Sequence, residues 1–160
     1  MSALIVRPVR KGDTDLIYEL LHEFAVHDDL MYMFAITPEI IERDYLGERP
    51  LINCELAFEG EAPVGIANWY WKYASFPAKR VLYLEDIYIR PAFRGKGYGT
   101  EMMARLAQEA LKANAERMEW SVLPQNTRSI ALYERLGAKR MQDWHVFRLT
   151  GEALEKLGEG

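Results

Sequence analysis

The chain has 160 residues, 49% of them hydrophobic and 28% charged, with a formal net charge of -4. That size and balance suit one globular α/β domain over 1–160, and the negative charge gives no basic field for nucleic acid. No apolar run reaches the length of a membrane span or signal peptide, and the single Cys54 forms no internal disulfide, so the cytoplasm is the expected compartment.

Residues 3–9 form a short β-branched run, and Gly12, Asp13, Thr14 and Asp15 then precede Leu16, Ile17, Leu20, Leu21, Phe24 and Ala25 at helical spacing. The spacing predicts a strand, then an amphipathic helix. Thr37 before Pro38 marks a second helix start, and Gly47 is its expected stop. Between them His27, Asp28 and Asp29 make an acidic corner that, on its own, reads as a solvated helix end.

Residues 51–58 and 64–73 flank a Gly-containing connection at 59–63, the pattern of an antiparallel hairpin. Cys54 in the first of these strands reads as buried filler. Trp69, Tyr70, Trp71 and Tyr73 make the second strand aromatic on both faces, which suits core packing better than a base-stacking platform. After a loop at 74–80, residues 81–90 are apolar on both faces except at Glu85 and Asp86, as in a strand buried in mid-sheet.

From Tyr98, the residues Met102, Met103, Leu106, Ala107, Ala110 and Leu111 predict one long helix. A strand at 118–123, a helix capped by Asn126 and ended by Gly137, a strand at 138–150 interrupted at Gln142 and Asp143, and a polar helical tail complete the order. Strand, helix, strand in the second half implies a parallel pair, while the hairpin makes the first half antiparallel. The expected fold is therefore a mixed sheet of six to seven strands with helices on both faces.

The stretch between the buried strand and the long helix is the chemical centre of the sequence. Gly95, Gly97 and Gly99 let backbone N–H groups converge on a phosphate beside a helix N-terminus, and Arg94 and Lys96 add positive charge. The dinucleotide fingerprint fails here, because the glycines are spaced by two and lie well past the strand. The phosphate loop of nucleotide hydrolases fails as well, because Gly99 is followed by Thr100 and Glu101.

What does match is Arg94-x-x-Gly97-x-Gly99 after a strand ending in Arg90 and Pro91, with Asn126, Ser129, Tyr133 and Gly137 downstream. In these motifs the chain resembles the GNAT superfamily of N-acetyltransferases. The segments Leu82-Tyr83-Leu84-Glu85-Asp86 and Ala131-Leu132-Tyr133-Glu134-Arg135-Leu136-Gly137-Ala138 are most similar to its diamine (spermidine/spermine-type) branch.

The resemblance implies a single-domain fold that binds acetyl-CoA. It places the pantetheine arm along Ile87, Tyr88 and Ile89, and the pyrophosphate on the amides of Arg94, Gly95, Lys96, Gly97, Tyr98, Gly99 and Thr100. Asn126 and Ser129 are implied further contacts to the cofactor, and the Tyr133 hydroxyl is implied as the acid that protonates the leaving sulfur. Asp28, Asp143 and Trp144 fall where relatives hold the amine. A homodimer with shared sites is implied too.

Acetyl transfer to an amine needs the ammonium to lose a proton, because an alkylamine is almost fully protonated at neutral pH. Glu85 is the candidate base. On a regular strand Asp86 would face the other way, but the family carries a bulge at this place, which would let both carboxylates meet the cationic substrate.

The expected acceptor is the primary amine of a small cationic, diamine- or polyamine-like substrate. The loop before this strand reads Ala74-Ser75-Phe76-Pro77-Ala78-Lys79, a cation where polyamine enzymes of the family carry an acid, which favours a small primary amine over a long polycation within that class. Another amine (an amino acid, a peptide N-terminus or an amino-bearing antibiotic) and a CoA-binding sensor without turnover stay open as alternatives. His22, His27 and His145 lack ligand-type spacing, so no metal is expected.

Overall fold

A computed structural model describes residues 3–160, which divide into two compact units, one running to Leu123 and one from Pro124 to Gly160. In the first unit the order is β1 (Leu4–Pro8), α1 (Thr14–His27), α2 (Pro38–Asp44), β2 (Asn53–Glu59), β3 (Ala62–Ala74), β4 (Lys79–Ile89), α3 (Tyr98–Lys112) and β5 (Arg117–Trp120). The five strands lie in sequence order. The first three junctions are antiparallel and the last, β4 to β5, is parallel. The sheet is mixed, as the alternation of strands and helices implies.

Local chemistry explains the helix starts. Pro38 opens α2 with its φ already helical, and Thr37 accepts a hydrogen bond from Ile40 N at 3.3 Å. Asp13 precedes α1 but does not cap it. Its carboxylate accepts from Arg7 at 2.7 and 2.9 Å and from Arg10 N at 2.7 Å, and the Arg7 guanidinium holds it below the usual aspartate range. That pair ties β1 to the helix that follows it.

Helices cover both faces. On one, Ile17, Leu20 and Leu21 of α1 and Ile41 of α2 pack with Cys54, Leu56, Ile66 and Tyr88 of the sheet. On the other, α3 buries Met102, Met103, Leu106 and Ala110, and approaches β4, β1 and β5. Alternation along β2 sends Cys54 and Leu56 to the first face and Glu55 and Ala57 to the second.

The second unit contains α4 (Thr127–Arg135) and the tail helix α5 (Gly151–Glu159). Asn126 caps α4 by accepting from Ser129 N at 3.2 Å, as its sequence position predicts. The expected strand at 138–150 is not formed: none of these residues joins a ladder, and Trp144, Val146 and Phe147 are exposed. A β-branched and aromatic run has only a propensity, and strand geometry is realised by pairing with a neighbour. The sheet therefore has five strands instead of six or seven. No helix among the described residues is long and apolar enough to cross a membrane.

Candidate functional site

The register of β3 against β4 slips at one point. Asn68 pairs with Asp86 and Trp69 with Leu84, so Glu85 is the extra residue of a β-bulge. The bulge cancels the strict alternation that would put Glu85 and Asp86 on opposite faces. Tyr83 pairs with Tyr70, and beyond the bulge Asp86 meets Asn68, whose Nδ2 donates to Asp86 Oδ2 at 2.9 Å and leans toward the Tyr45 hydroxyl at 3.4 Å. Tyr83, Asp86 and Tyr88 thus face the α1 and α2 side.

Both carboxyls are shifted upward. Burial pushes Asp86 above the ordinary aspartate range, and the hydrogen bond from Asn68 only partly offsets it. Glu85 is raised by burial and then by the charge of Asp86. Glu85 also raises the hydroxyls of Tyr70 and Tyr45, although burial is the largest cause for both. A carboxylate with raised proton affinity, out of the ladder and exposed, has the chemistry to take a proton from an amine.

The bulge also marks a divergence of strands. The β4–β5 ladder runs from Val81 with Arg117 to Leu84 with Trp120 and stops there, while β4 continues to Ile89. Along Ile87, Tyr88 and Ile89 the backbone is paired with β3 alone, leaving on the β5 side a strand edge suited to amide groups of an extended ligand. The Tyr88 side chain takes no part in that edge; it is buried and stacked on Phe24 with centroids 5.3 Å apart.

A 3-10 turn at Pro91–Phe93 leads from β4 to the glycine loop. Gly95 and Gly97 have φ of +80° and +87°, and Gly97 is the residue before the first turn of α3. A Cβ at either glycine would meet nothing within 4 Å, so they are required for their backbone conformation and not by crowding. Gly97 O accepts from Glu101 N at 3.1 Å, while the N–H groups of Tyr98, Gly99 and Thr100 begin a fifteen-residue helix and have no intrahelical acceptor. Such a cradle fits a phosphate.

The two cations of this loop are held differently. Arg94 Nε donates to Ile89 O at 2.9 Å, and its Nη1 lies 3.1 Å from His27 Nε2. Lys96 Nζ donates to both oxygens of Glu59, at 3.0 and 2.9 Å, so a carboxylate from the end of β2 already neutralises it. Asp28 sits at the C-terminal end of α1 with Oδ1 2.7 Å from His27 Nδ1, in the same chain of contacts as Arg94.

In the second unit Ser129 and Tyr133 lie one turn apart on α4. Burial raises the Tyr133 phenol and Ser129 pulls it back down by a hydrogen bond. The phenol therefore stays protonated at neutral pH. Trp144 is exposed, and Asp143 beside it lies in the segment without strand structure. Cys54 is buried, and burial with the charges of Glu55 and Asp86 pushes its thiol well up, which leaves no nucleophilic thiolate. Among the described residues no cluster of His, Cys, Asp or Glu is placed to hold a metal.

Three residues at this site escaped the sequence reading. Asn68, fully buried in the middle of β3, is the partner that fixes Asp86, and an amide within the apolar run Ile66-Ala67-Asn68-Trp69 was the signal for it. Glu59, read only as part of a turn, holds Lys96. Arg90, whose guanidinium reaches Glu19, Glu23 Oε2 at 2.8 Å and Pro63 O at 2.8 Å, clamps the end of β4 onto α1. Nothing local in the sequence announces these last two pairings.

A family model described as acetyltransferase (GNAT) family matches residues 14–138. A thialysine N-epsilon-acetyltransferase of Bos taurus is 32% identical over 168 residues, covering 98% of this chain and 98% of the relative. A spermidine/spermine N(1)-acetyltransferase-like protein 1 of Homo sapiens is 34% identical over 164 residues, covering 96% of this chain and 24% of that longer protein. An integron cassette protein from the mobile metagenome of V. cholerae superposes with a TM-score of 0.80 at 21% identity, over 100% of this chain and 99% of that one.

Proposed function

This chain belongs to the acetyltransferase (GNAT) family and is an acetyl-CoA-dependent N-acetyltransferase, and from that premise we propose that its acceptor is a small cationic primary amine bound at the β4 bulge. The observation that carries the reading is the bulge itself, which sets Glu85 free of the ladder beside Asp86 with both carboxyls raised. Both relatives are named for transfer to amines that carry further positive charge, which supports a diamine-like or lysine-like acceptor.

The residues present fit the cofactor that the family uses. The amides after Gly97 and the glycine conformations at Gly95 and Gly97 suit its pyrophosphate, with Arg94 as a nearby cation; Lys96 reaches the cofactor only by leaving Glu59, and Asn126 and Ser129 are assigned to it from the family resemblance alone. The β4 edge at Ile87, Tyr88 and Ile89 suits its pantetheine amides. When bound, acetyl-CoA supplies the activated acetyl group as a thioester.

Each remaining role belongs to a side chain. Glu85 takes the proton of the incoming ammonium, directly or through water, and its charge with that of Asp86 draws the cation in. Asn68 holds Asp86 in place. Tyr133 returns a proton to the departing sulfur. Asp28, Asp143 and Trp144 are assigned to the amine's outer parts. Buried Cys54 leaves transfer direct, without an acyl-enzyme.

The reading further takes residues 1–160 as one catalytic domain, supported by a family match over residues 14–138 that continues from the first unit into α4 of the second, and takes the enzyme as a cytoplasmic homodimer that does not bind nucleic acid. Free-thiol release from acetyl-CoA tests the acceptor, using spermidine, short diamines, lysine and ornithine analogues, peptides and an aminoglycoside. Lysine analogues or short diamines are expected to give the highest kcat/KM. If peptides or the aminoglycoside are preferred, the acceptor assignment fails; if no amine yields thiol while acetyl-CoA raises Tm, the protein is a sensor.

A further inference from the structure

Beyond the bulge, the sheet face that bears Asp86 carries side chains given no role so far. Tyr70 and Tyr83 stand opposite one another in the ladder, with ring centroids 5.2 Å apart. Lys72, two residues after Tyr70, and Glu119, paired with Tyr83 across the parallel junction, point to the same side. Both tyrosines are half-buried and Lys72 is exposed, so the row is within reach of a ligand.

Lys72 ends this row with an ammonium. Its Nζ lies 5.1 Å from the Tyr83 ring centroid and donates to Glu119 Oε2 at 2.7 Å. The other Glu119 oxygen accepts from Arg117 Nε at 2.6 Å, so two cations share one carboxylate and this end of the row is net positive. An ammonium has three donors, of which Glu119 takes one. With 43% of its side chain exposed, Lys72 has room for a further acceptor. The other end of the row is Glu85, exposed beside Asp86. The Tyr70 phenol lies between the two ends: burial raises it most, Glu85 raises it further and Lys72 lowers it. Lys72 stands three register pairs beyond Trp69 and Leu84, about 10 Å along the strand.

An amine that gives its proton to Glu85 therefore extends over two aromatic rings toward a positive end. A second ammonium placed there meets Lys72 and Arg117, whereas a carboxylate gains a charge-assisted hydrogen bond. Resting on the acceptor site proposed above, we propose that Lys72 is a specificity-determining residue, which binds the carboxylate of a lysine-type acceptor and disfavours a diamine. In such an acceptor the carboxylate offsets the α-ammonium, and its methylenes pack on Tyr70 and Tyr83. Glu119 is a positioning residue that holds Lys72 over Tyr83. The selection works by repulsion as well as attraction.

L-lysine and cadaverine differ only in the carboxylate, so the ratio of their kcat/KM values, measured by thiol release at saturating acetyl-CoA, isolates its recognition. The parent is expected to favour L-lysine by at least about tenfold, the worth of one charge-assisted hydrogen bond. The difference should fall mainly in KM, because Lys72 is remote from the reacting atoms. Lys72→Met keeps the length of the side chain without its charge and is expected to bring the ratio close to one, and Lys72→Glu to invert it. 6-Aminohexanoate, which is lysine without its α-ammonium, should lose kcat/KM in both variants as L-lysine does. Because both substrates are compared on the same variant, the ratio is insensitive to a change in the folded fraction. A parent that prefers cadaverine, or a ratio unchanged in both variants, overturns the proposal and leaves the amine site at the bulge standing. If none of the three acceptors yields thiol, the acceptor site itself fails and this proposal falls with it.

Discussion

Replacing Gly97 by alanine isolates the role of the glycine loop. With φ at +87°, Gly97 occupies the left-handed region, where an L-residue pays about 1–2 kcal/mol. Nothing lies within 4 Å of the added Cβ, so no steric cost is added. For a domain of this size each kcal/mol lowers Tm by about 2–4 °C, giving an expected fall of about 2–8 °C. The strain can be relieved by moving to negative φ, but that swings the N–H groups that open α3 away from their convergence. Losing one or two charge-assisted hydrogen bonds corresponds to about a 10–100-fold weaker CoA.

Gly12 supplies a matched control. Its φ is +99°, a Cβ there also meets nothing within 4 Å, and it precedes α1 instead of α3. Gly12→Ala should lower Tm by a similar amount and leave CoA affinity unchanged. Differential scanning calorimetry and isothermal titration with CoA read both quantities. Parental CoA affinity in Gly97→Ala, or an equal loss of affinity in Gly12→Ala, refutes the assignment of the cradle to the cofactor.

Asp86→Asn tests the buried carboxyl through stability. Because the native state raises its proton affinity, folding holds that proton more tightly than the unfolded chain does, and stability falls as pH rises from the ordinary aspartate value of about 3.9 to the raised one. Within that window the slope is about -1.4 kcal/mol per pH unit. The asparagine variant should therefore be more stable than the parent at pH 8 and no more stable below pH ~4, by urea unfolding at both values; a pH-independent difference would show that Asp86 carries no strain. Tyr133→Phe should lower kcat while leaving the Kd for acetyl-CoA nearly constant, and an unchanged kcat removes Tyr133 as the acid.

The fold was legible wherever the signal was local. The apolar spacing of Ile17, Leu20 and Leu21 and of Met102, Met103 and Leu106 identifies α1 and α3, and Thr37 and Asn126 cap the helices that their side chains predict. Pairing was less legible. Residues 138–150 have strand-like composition but no ladder partner, and propensity cannot supply one.

The site divides in the same way. Glu85, Asp86 and the glycines lie within one short stretch, so motif spacing was enough to find them. A bulge was expected only by resemblance, because alternation read along β4 alone cannot show which residue is extra; that is decided by the register against Asn68 and Trp69 on β3. Glu59 is likewise 37 positions from Lys96, and sequence pattern does not reach across that separation.

The pH dependence of thiol release with a lysine analogue, compared between the parent and Glu85→Gln, bears most directly on the chemistry. Burial and Asp86 raise the Glu85 carboxyl, so kcat/KM of the parent should climb with pH through a base more basic than an ordinary glutamate and then level off. The variant should lose that limb and retain only the rise that follows the free amine. A variant with the rate and profile of the parent would contradict the account and leave water as the base.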